Sequence, residues 1–420
     1  MTGSRDTSAL QSLAGSAWLA APDLRRVLAA IGPEGGGARV VGGAVRNALL
    51  GEPITDVDIA TPVKPEEVMR RAAAAGLGVH PTGIDHGTVT VVSGGHAFEV
   101  TTLRRDVETD GRRAVVAFSD DWREDALRRD FTMNALYATG DGTVHDYFGG
   151  LQDLRRRHVR FIGDATERIR EDYLRILRFF RFNAQYGLGA LDAGGLAACV
   201  ALKDGLVRLS AERIGAELMK LMAAPRAAEI VAIMDQVGIL HMVLGQPLYP
   251  QRLARMLAIE AANGLTPDRW TRLCALALDA PQSASHLGER LRLSKSEVEA
   301  LAGAAARHGS FDPAASEDEA RAHLYRTGVA NYYRAALVDW ASGADGVENA
   351  ARATRLKLPE RWPVPTLPVR GTDVMALGIP SGPQVGKILA AFEAWWIDQD
   401  FPQDTAAVHA QLRALANKGY

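Results

Sequence analysis

Between Gly37 and about Asp164 the chain alternates short β-branched runs with helical stretches, and beyond Asp164 apolar residues recur three and four apart. That change of period constrains the fold most: an α/β unit comes first and an all-α remainder follows. Val40-Val41, Asp56-Val57-Asp58-Ile59, Thr88 to Val92 and Ala97 to Thr101 are predicted strands, and Pro65 to Ala75 is a predicted helix with proline near its start. Ile169, Leu174, Ile176, Leu177 and Phe180 carry the helical spacing. Residues 1–36 read as a helical lead-in, and the Pro-rich run Leu358 to Pro368 reads as a semi-rigid connector before a short C-terminal piece.

At roughly 100–200 residues per domain, 420 residues allow two to four domains. Hydrophobic residues at 47% and charged residues at 23% exclude wholesale disorder. Lys+Arg 48 against Asp+Glu 50 excludes a polycation that grips nucleic acid by global charge, so any such grip is local. Arginine supplies 41 of the 48 basic residues, which suits forked contacts with phosphates, although a GC-rich genome biases composition the same way. Cys199 and Cys274 stand far apart without a CxxC or Cys/His cluster, so buried thiols are expected rather than a zinc site or a disulfide. With no leader-like N-terminus and no apolar run of about 18 residues, a soluble cytoplasmic protein without a membrane partner is expected.

The first chemical motif is Gly42-Gly43-Ala44-Val45-Arg46-Asn47, between a short apolar strand and a helical stretch. Glycines let the backbone approach a ligand closely, helix-start N–H groups receive phosphate oxygens, and Arg46 adds charge. A tight turn with no ligand has the same sequence. Asp56 and Asp58 follow at i and i+2 of a predicted strand, where side chains share a face. Two carboxylates so placed suit Mg²⁺, which takes phosphate oxygens and water at its remaining positions; a solvated edge pair is the alternative. Glu99, on the predicted strand Ala97 to Thr101, offers a third carboxylate or a surface charge. A phosphate cradle beside a carboxylate pair suggests metal-assisted nucleotidyl transfer.

Two further motifs are Arg128-Arg129-Asp130-Phe131-Thr132-Met133-Asn134 and Glu171-Asp172-Tyr173-Leu174-Arg175-Ile176-Leu177-Arg178-Phe179-Phe180-Arg181. Arg129 suits a triphosphate, Asp130 a ribose hydroxyl, and Asn134 the loop or the sugar; a helix end with a surface ion pair reads equally from the same residues. Asp172, Arg175 and Arg178, at spacing three, are expected on one helix face opposite Leu174, Leu177 and Phe180. A carboxylate accepts from an exocyclic amine and a guanidinium donates to a ring nitrogen, so an Asp/Arg pair accepts C and A and rejects U and G. An ordinary i,i+3 ion pair fits the spacing too.

Taken in order, these motifs with Asp146-Tyr147-Phe148-Gly149-Gly150 and Leu209-Ser210-Ala211-Glu212-Arg213-Ile214 closely resemble the bacterial-type (class II) tRNA nucleotidyltransferase and poly(A) polymerase family. The resemblance covers roughly residues 38–225, and Gly371 to Pro380 resembles the family's C-terminal segment. It implies a polymerase-β-like α/β head and an all-α neck, body and tail: lead-in 1–36, head 37–160, neck 161–225, body 226–355, and linker with tail 356–420. The implied activity is template-independent addition of C and A, from CTP and ATP, to a tRNA 3′ end. Poly(A) polymerase, A-only or CC-only addition, and a catalytically silent RNA-binding protein are the alternatives. By the same resemblance Asp56 and Asp58 bind catalytic Mg²⁺, with Glu99 a possible further ligand, and Asp172 and Arg175 act as an amino-acid template for the base. Gly43, Arg46, Arg129, Arg178 and Arg181 match nucleotide-handling positions, and Arg104 to Asp121 matches a mobile segment associated with switching from C to A. Asn47 departs from the family's usual Asp. A helix start at Gly382-Pro383 offers a place for a tRNA phosphate or, equally, a hinge that packs Trp395 and Trp396.

Overall fold

A computed structural model describes residues 12–32, 37–110, 113–305, 312 and 314–418. Part of the expected lead-in, residues 1–11 and 33–36, lies outside the described residues. The chain divides into two compact units, Met1–Val243 and Leu244–Tyr420.

In the first unit, α1 (Pro22–Ile31) precedes β1 (Arg39–Val41), α2 (Gly43–Leu50), β2 (Asp58–Thr61), α3 (Pro65–Ala74), β3 (Gly78–Gly83), β4 (Thr88–Ser93) and β5 (His96–Thr102). A hairpin of β6 (Arg104–Asp110) and β7 (Arg113–Phe118) follows, then α4 (Trp122–Leu127), β8 (Leu136–Ala138), β9 (Val144–Asp146) and α5 (Gly150–Arg155). Seven strands form one mixed sheet in the order β3-β4-β5-β2-β1-β8-β9. Only the β2–β5 pair is parallel, and its register sets Asp58 beside Glu99. Alternation explains β4, whose Val89, Val91 and Ser93 are buried while Thr88, Thr90 and Val92 are half-buried. Proline opens α3, glutamates occupy its first turn and Arg71 its last, in keeping with the helix dipole.

The expected strand over Asp56 to Ile59 is corrected at its start. Pairing begins at Asp58, and Asp56 and Val57 lie in the preceding loop. A strand's two-residue repeat therefore does not align the two aspartates. The Arg104 to Asp121 segment carries the β6–β7 hairpin and the start of α4, with residues 111 and 112 outside the described residues.

Five helices continue this unit: α6 (Ala165–Glu171), α7 (Leu174–Tyr186), α8 (Ala193–Ala201), α9 (Ala211–Ala223) and α10 (Ala227–Gln236). Asp164 caps α6, its Oδ1 accepting from the Glu167 N–H at 2.9 Å. The expected single face through Asp172, Arg175 and Arg178 is the second correction. Asp172 is extended (φ −156°, ψ 108°) and separates α6 from α7, so it stands before the helix that carries the two arginines. Tyr173 packs against Gly205, where a Cβ would lie 1.9 Å from the ring. Within α7, Leu174, Ile176, Leu177, Phe179 and Phe180 are buried, as the periodicity predicts. Phe179 stacks on Phe161 at 5.5 Å, and Phe131 meets Phe161 at 4.9 Å and Phe182 at 5.0 Å. This aromatic cluster locks α7 against the Arg128 to Asn134 loop.

In the second unit the described residues form helices and connecting loops, with no strand. Helices Pro250–Ala262 and Arg269–Ala277 share a buried ion pair, Arg272 Nη2 to Glu260 Oε2 at 2.7 Å. A separate core gathers Ile388, Phe392, Trp396, Phe401, Val408 and Leu412. Trp396 is buried and Trp395 partly so, as the packing alternative at Gly382-Pro383 expects. The Pro-rich run is not a free spacer: Leu358 is buried at the start of a short helix, and Trp362 and Leu367 pack on the core around Trp396. Cys199 and Cys274 are buried free thiols. Among the described residues no helix is long and apolar enough to cross a membrane.

Candidate active site

One cleft of about 410 Å³ in the first unit collects residues from β2, α2, α7, α9 and the Arg128 to Asn134 loop. Its floor is the turn from β1 into α2. Gly42 adopts φ 73°, ψ −120°, a conformation that suits glycine, and a Cβ there would lie 3.5 Å from an Arg129 guanidinium nitrogen. Of the residues singled out in the sequence, Gly43, Arg46, Asp58, Arg129, Asp130, Asn134, Asp172, Arg175 and Arg178 line this cleft. Asp56, Glu99 and Arg181 do not line it. Asp56 lies in the loop before β2 and accepts from Thr55 Oγ1 at 3.0 Å. Glu99 neighbours Asp58 across the β2–β5 ladder, and Arg181 donates to Glu217 at 2.5 Å while lying over the Phe182 ring at 4.1 Å.

Asp58 has a pKa above the usual carboxylate range. Desolvation is the main cause; Glu99 and Asp56 add repulsion, and Arg129 opposes them. Arg129 is fixed by Asp125 (Nη2 to Oδ2, 3.2 Å) and by the Tyr137 hydroxyl (3.2 Å), which itself donates to Asp125 at 2.7 Å. Burial works against the Arg129 charge, yet Tyr137 and Asp125 outweigh it and raise its pKa.

Asp130 is buried and accepts from protein donors at both oxygens. Oδ1 takes the Phe131 N–H at 2.8 Å and Asn134 Nδ2 at 3.0 Å, and Oδ2 takes Arg178 Nε at 2.8 Å. Burial pushes this carboxyl up, but Arg178, Asn134 and the Phe131 N–H hold it below the usual range. Asp130 thus holds Arg178 and Asn134 in place first, which limits the ribose role expected of it. Asn134 Oδ1 in turn accepts from Arg46 at 2.5 Å, so a continuous chain runs Arg46–Asn134–Asp130–Arg178.

At the other end of the cleft, Asp172 and Arg175 do not bond to each other. Asp172 Oδ2 accepts from Arg213 Nη2 at 2.6 Å, and Oδ1 caps the Leu174 N–H at 3.1 Å. Arg175 pairs with Glu171 and donates to the Arg168 carbonyl at 2.6 Å. Sequence reasoning missed Arg213 as a site residue. It lies in the Leu209 to Ile214 motif, but only the packing of α9 against α7 brings it to Asp172.

Residues 38–160 match the family model described as the poly A polymerase head domain, and residues 191–250 match the model described as a probable RNA and SrmB-binding site of polymerase A. The crystal structure of the Bacillus stearothermophilus CCA-adding enzyme in complex with CTP is 29% identical with a TM-score of 0.73, covering 94% of this chain and 98% of that one. Fold and cleft together define a nucleotidyltransferase with a polymerase-β-like head. The mitochondrial CCA tRNA nucleotidyltransferase 1 of Danio rerio is 35% identical over 374 residues, 85% of this chain and 83% of that protein. The CCA-adding enzyme of Geobacillus kaustophilus is 34% identical over 390 residues, 89% and 92% of the two chains. The chain belongs to the CCA tRNA nucleotidyltransferase and poly(A) polymerase family.

Nucleotidyltransferases of this family generally use divalent metal ions. Among the described residues no three His, Cys, Asp or Glu side chains form a cluster that could hold a metal by themselves. The donor chemistry of Asp58 nevertheless fits a dication that takes further oxygens from substrate and water. Its charge is disfavoured by desolvation, by Glu99 and by Asp56, and a nearby cation relieves all three.

Proposed function

We propose that this chain adds C and A to the 3′ end of tRNA, taking CTP and ATP as nucleotide donors. The observation that carries the reading is the single cleft in which a Gly-Gly helix start, Arg46, Arg129, Arg178, Asp58 and the base-edge residues Asp172 and Arg175 converge. Gly43 and Arg46 take phosphate oxygens at the start of α2, with Arg129 and Arg178 as further cations. Asp56 and Asp58 would hold Mg²⁺, with Glu99 on the neighbouring strand as the further carboxylate. When bound, that ion supplies charge stabilisation for the departing pyrophosphate and lowers the pKa of the attacking hydroxyl. Asp172 accepts from the exocyclic amine of C or A and Arg175 donates to the ring nitrogen, so both pairs seen here, Arg213–Asp172 and Glu171–Arg175, must share or release those groups when a base arrives.

The head over residues 37–160, the neck over 161–225, the body over 226–355 and the linker with tail over 356–420 belong to the same proposal, as does a cytoplasmic place of work. The solved and curated relatives described above are CCA-adding enzymes, which favours CCA addition over poly(A) synthesis. Incubation with tRNA lacking its terminal triplet, with CTP and ATP supplied separately and together, tests the reading. CCA completion is expected. Failure to incorporate C sinks it in favour of poly(A) or A-only addition, and absence of any transfer leaves an RNA-binding protein.

A further inference from the structure

Two buried side chains that do not line the cleft bear on one that does. Asp125, on α4, and Tyr137, on β8, are shut away from solvent and bond to each other, the Tyr137 hydroxyl donating to Asp125 Oδ2 at 2.7 Å. Arg129 closes the ring: its Nη2 donates to Asp125 Oδ2 at 3.2 Å and its Nε to the Tyr137 hydroxyl at 3.2 Å. The guanidinium edge bearing Nε and Nη2 is therefore taken up by the protein. Nη1 is the nitrogen that reaches the glycine turn, 3.5 Å from where a Gly42 Cβ would stand.

The sheet places this ring relative to the turn. Tyr137 stands opposite Val41 in the β1–β8 ladder, and the Gly42 N–H donates to the Leu136 carbonyl at 3.1 Å, so the strand that carries the hydroxyl also holds the turn. Trp122 and Tyr147 meet the Tyr137 ring edge-on, at 5.4 and 5.9 Å, which fixes the direction of the phenol. An unrestrained arginine spreads its charge over many rotamers, and ordering it at the moment of binding costs affinity. A ring that sets the rotamer beforehand removes that cost. Asp125 restrains the cation by charge, and the Tyr137 hydroxyl does so without cancelling any of it.

We propose that Tyr137 and Asp125 are positioning residues for nucleotide binding, which aim Arg129 Nη1 at phosphate oxygens held over the Gly42-Gly43 turn. The proposal rests on the cleft being the nucleoside-triphosphate site. Both residues act through Arg129, and neither touches substrate. A phosphate contact is blind to the base, so CTP and ATP are affected alike. Inorganic pyrophosphate, which carries neither base nor sugar, is affected with them.

The test uses the full-length protein carrying Tyr137→Phe or Asp125→Asn, each alone and combined with Arg129→Ala. Steady-state addition of C and of A to tRNA acceptors is measured, with pyrophosphate as product inhibitor. Tyr137→Phe should raise KM for CTP, KM for ATP and the pyrophosphate inhibition constant by a common factor of about three to ten, with kcat within about twofold, the effect of one lost hydrogen bond. Asp125→Asn should raise the same constants by about tenfold or more, since the lost contact is charge-assisted. In the Arg129→Ala background Tyr137→Phe should change nothing further, as expected of a residue that works through the arginine. A lower KM in Asp125→Asn, a loss confined to kcat or to one nucleotide, or a Tyr137→Phe effect that persists without Arg129 overturns the proposal. Should Asp125→Asn or Arg129→Ala fold poorly, Tyr137→Phe, which keeps the buried ring, decides alone: unchanged KM and unchanged pyrophosphate inhibition overturn it. A wild type that neither uses CTP nor responds to pyrophosphate overturns the functional reading as well, whereas transfer whose KM and pyrophosphate inhibition ignore both substitutions overturns this role alone.

Discussion

Arg213 Nη2 donates to Asp172 Oδ2 at 2.6 Å, joining α9 to the break between α6 and α7 and setting the carboxylate that faces the cleft. Arg175 is held separately, through Glu171 and the Arg168 carbonyl. The two groups proposed to read the base therefore have independent supports, and disturbing each should have a different consequence.

Arg213→Ala should lower kcat/KM for C and A addition together, by roughly tenfold to a hundredfold, since a part-buried hydrogen bond between charged groups contributes about 1.5–3 kcal/mol. Arg175→Ala should relax nucleotide choice instead. Incorporation from UTP and GTP, measured beside CTP and ATP, separates the two; full selectivity in Arg175→Ala removes it from base recognition.

Asp58→Ala should abolish nucleotide addition while tRNA affinity, read by filter binding, changes by no more than a few fold. Undiminished turnover excludes Asp58 from the reaction.

The raised pKa of Asp58 has a sign that can be checked in stability as well as in rate. A carboxyl whose folded pKa exceeds its unfolded one favours folding below the unfolded value and loses that contribution as pH rises through the folded pKa. Asp58→Asn should therefore raise the melting temperature at pH 7, and the gain should shrink as the medium is acidified into the carboxylate range. Added Mg²⁺ should raise the wild-type melting temperature at pH 7 more than that of Asp58→Asn. Catalytic rate should climb with pH through the same ionisation. A variant that melts at or below the wild type at pH 7 contradicts the desolvation and repulsion assigned to this site.

In the second unit, Glu260→Ala should destabilise by about 3–5 kcal/mol, because it breaks a buried ion pair by removing one member alone. Glu260→Leu combined with Arg272→Met should cost much less, since both charges leave together. Thermal or denaturant unfolding of the two variants decides, and equal losses in the single and the double variant would refute the account.

The α/β-to-α change of period, strand β4, helix α3 and the buried face of α7 were all legible in the amino-acid order, because each follows from a repeat of two or 3.6 residues within one element. The same local reasoning failed at two places. It extended a strand back to Asp56, where the ladder starts only at Asp58, and it ran a helix through Asp172, where the backbone is extended and the side chain accepts the Leu174 N–H. At both places spacing alone looked regular, and a break in the element altered which way the side chains face.

Residue types and local spacing marked most of the groups this protein brings to its cleft, among them Gly43, Arg46, Asp58, Arg129, Asp130 and Arg178, and the apolar stripe that buries α7, but not Arg213. Arg129 with Asp125 and Arg175 with Glu171 are i,i+4 pairs, but tertiary structure alone decided the pairings between distant segments. Asp130 takes Arg178 across 48 positions, Asp172 takes Arg213 across 41, and Arg46 finds neutral partners, with Asn134 88 residues away. Ion pairing depends on distances of a few ångström between elements, and those distances arise from how α7 packs on α9 and on the Phe131 cluster, which no periodicity within a single element encodes.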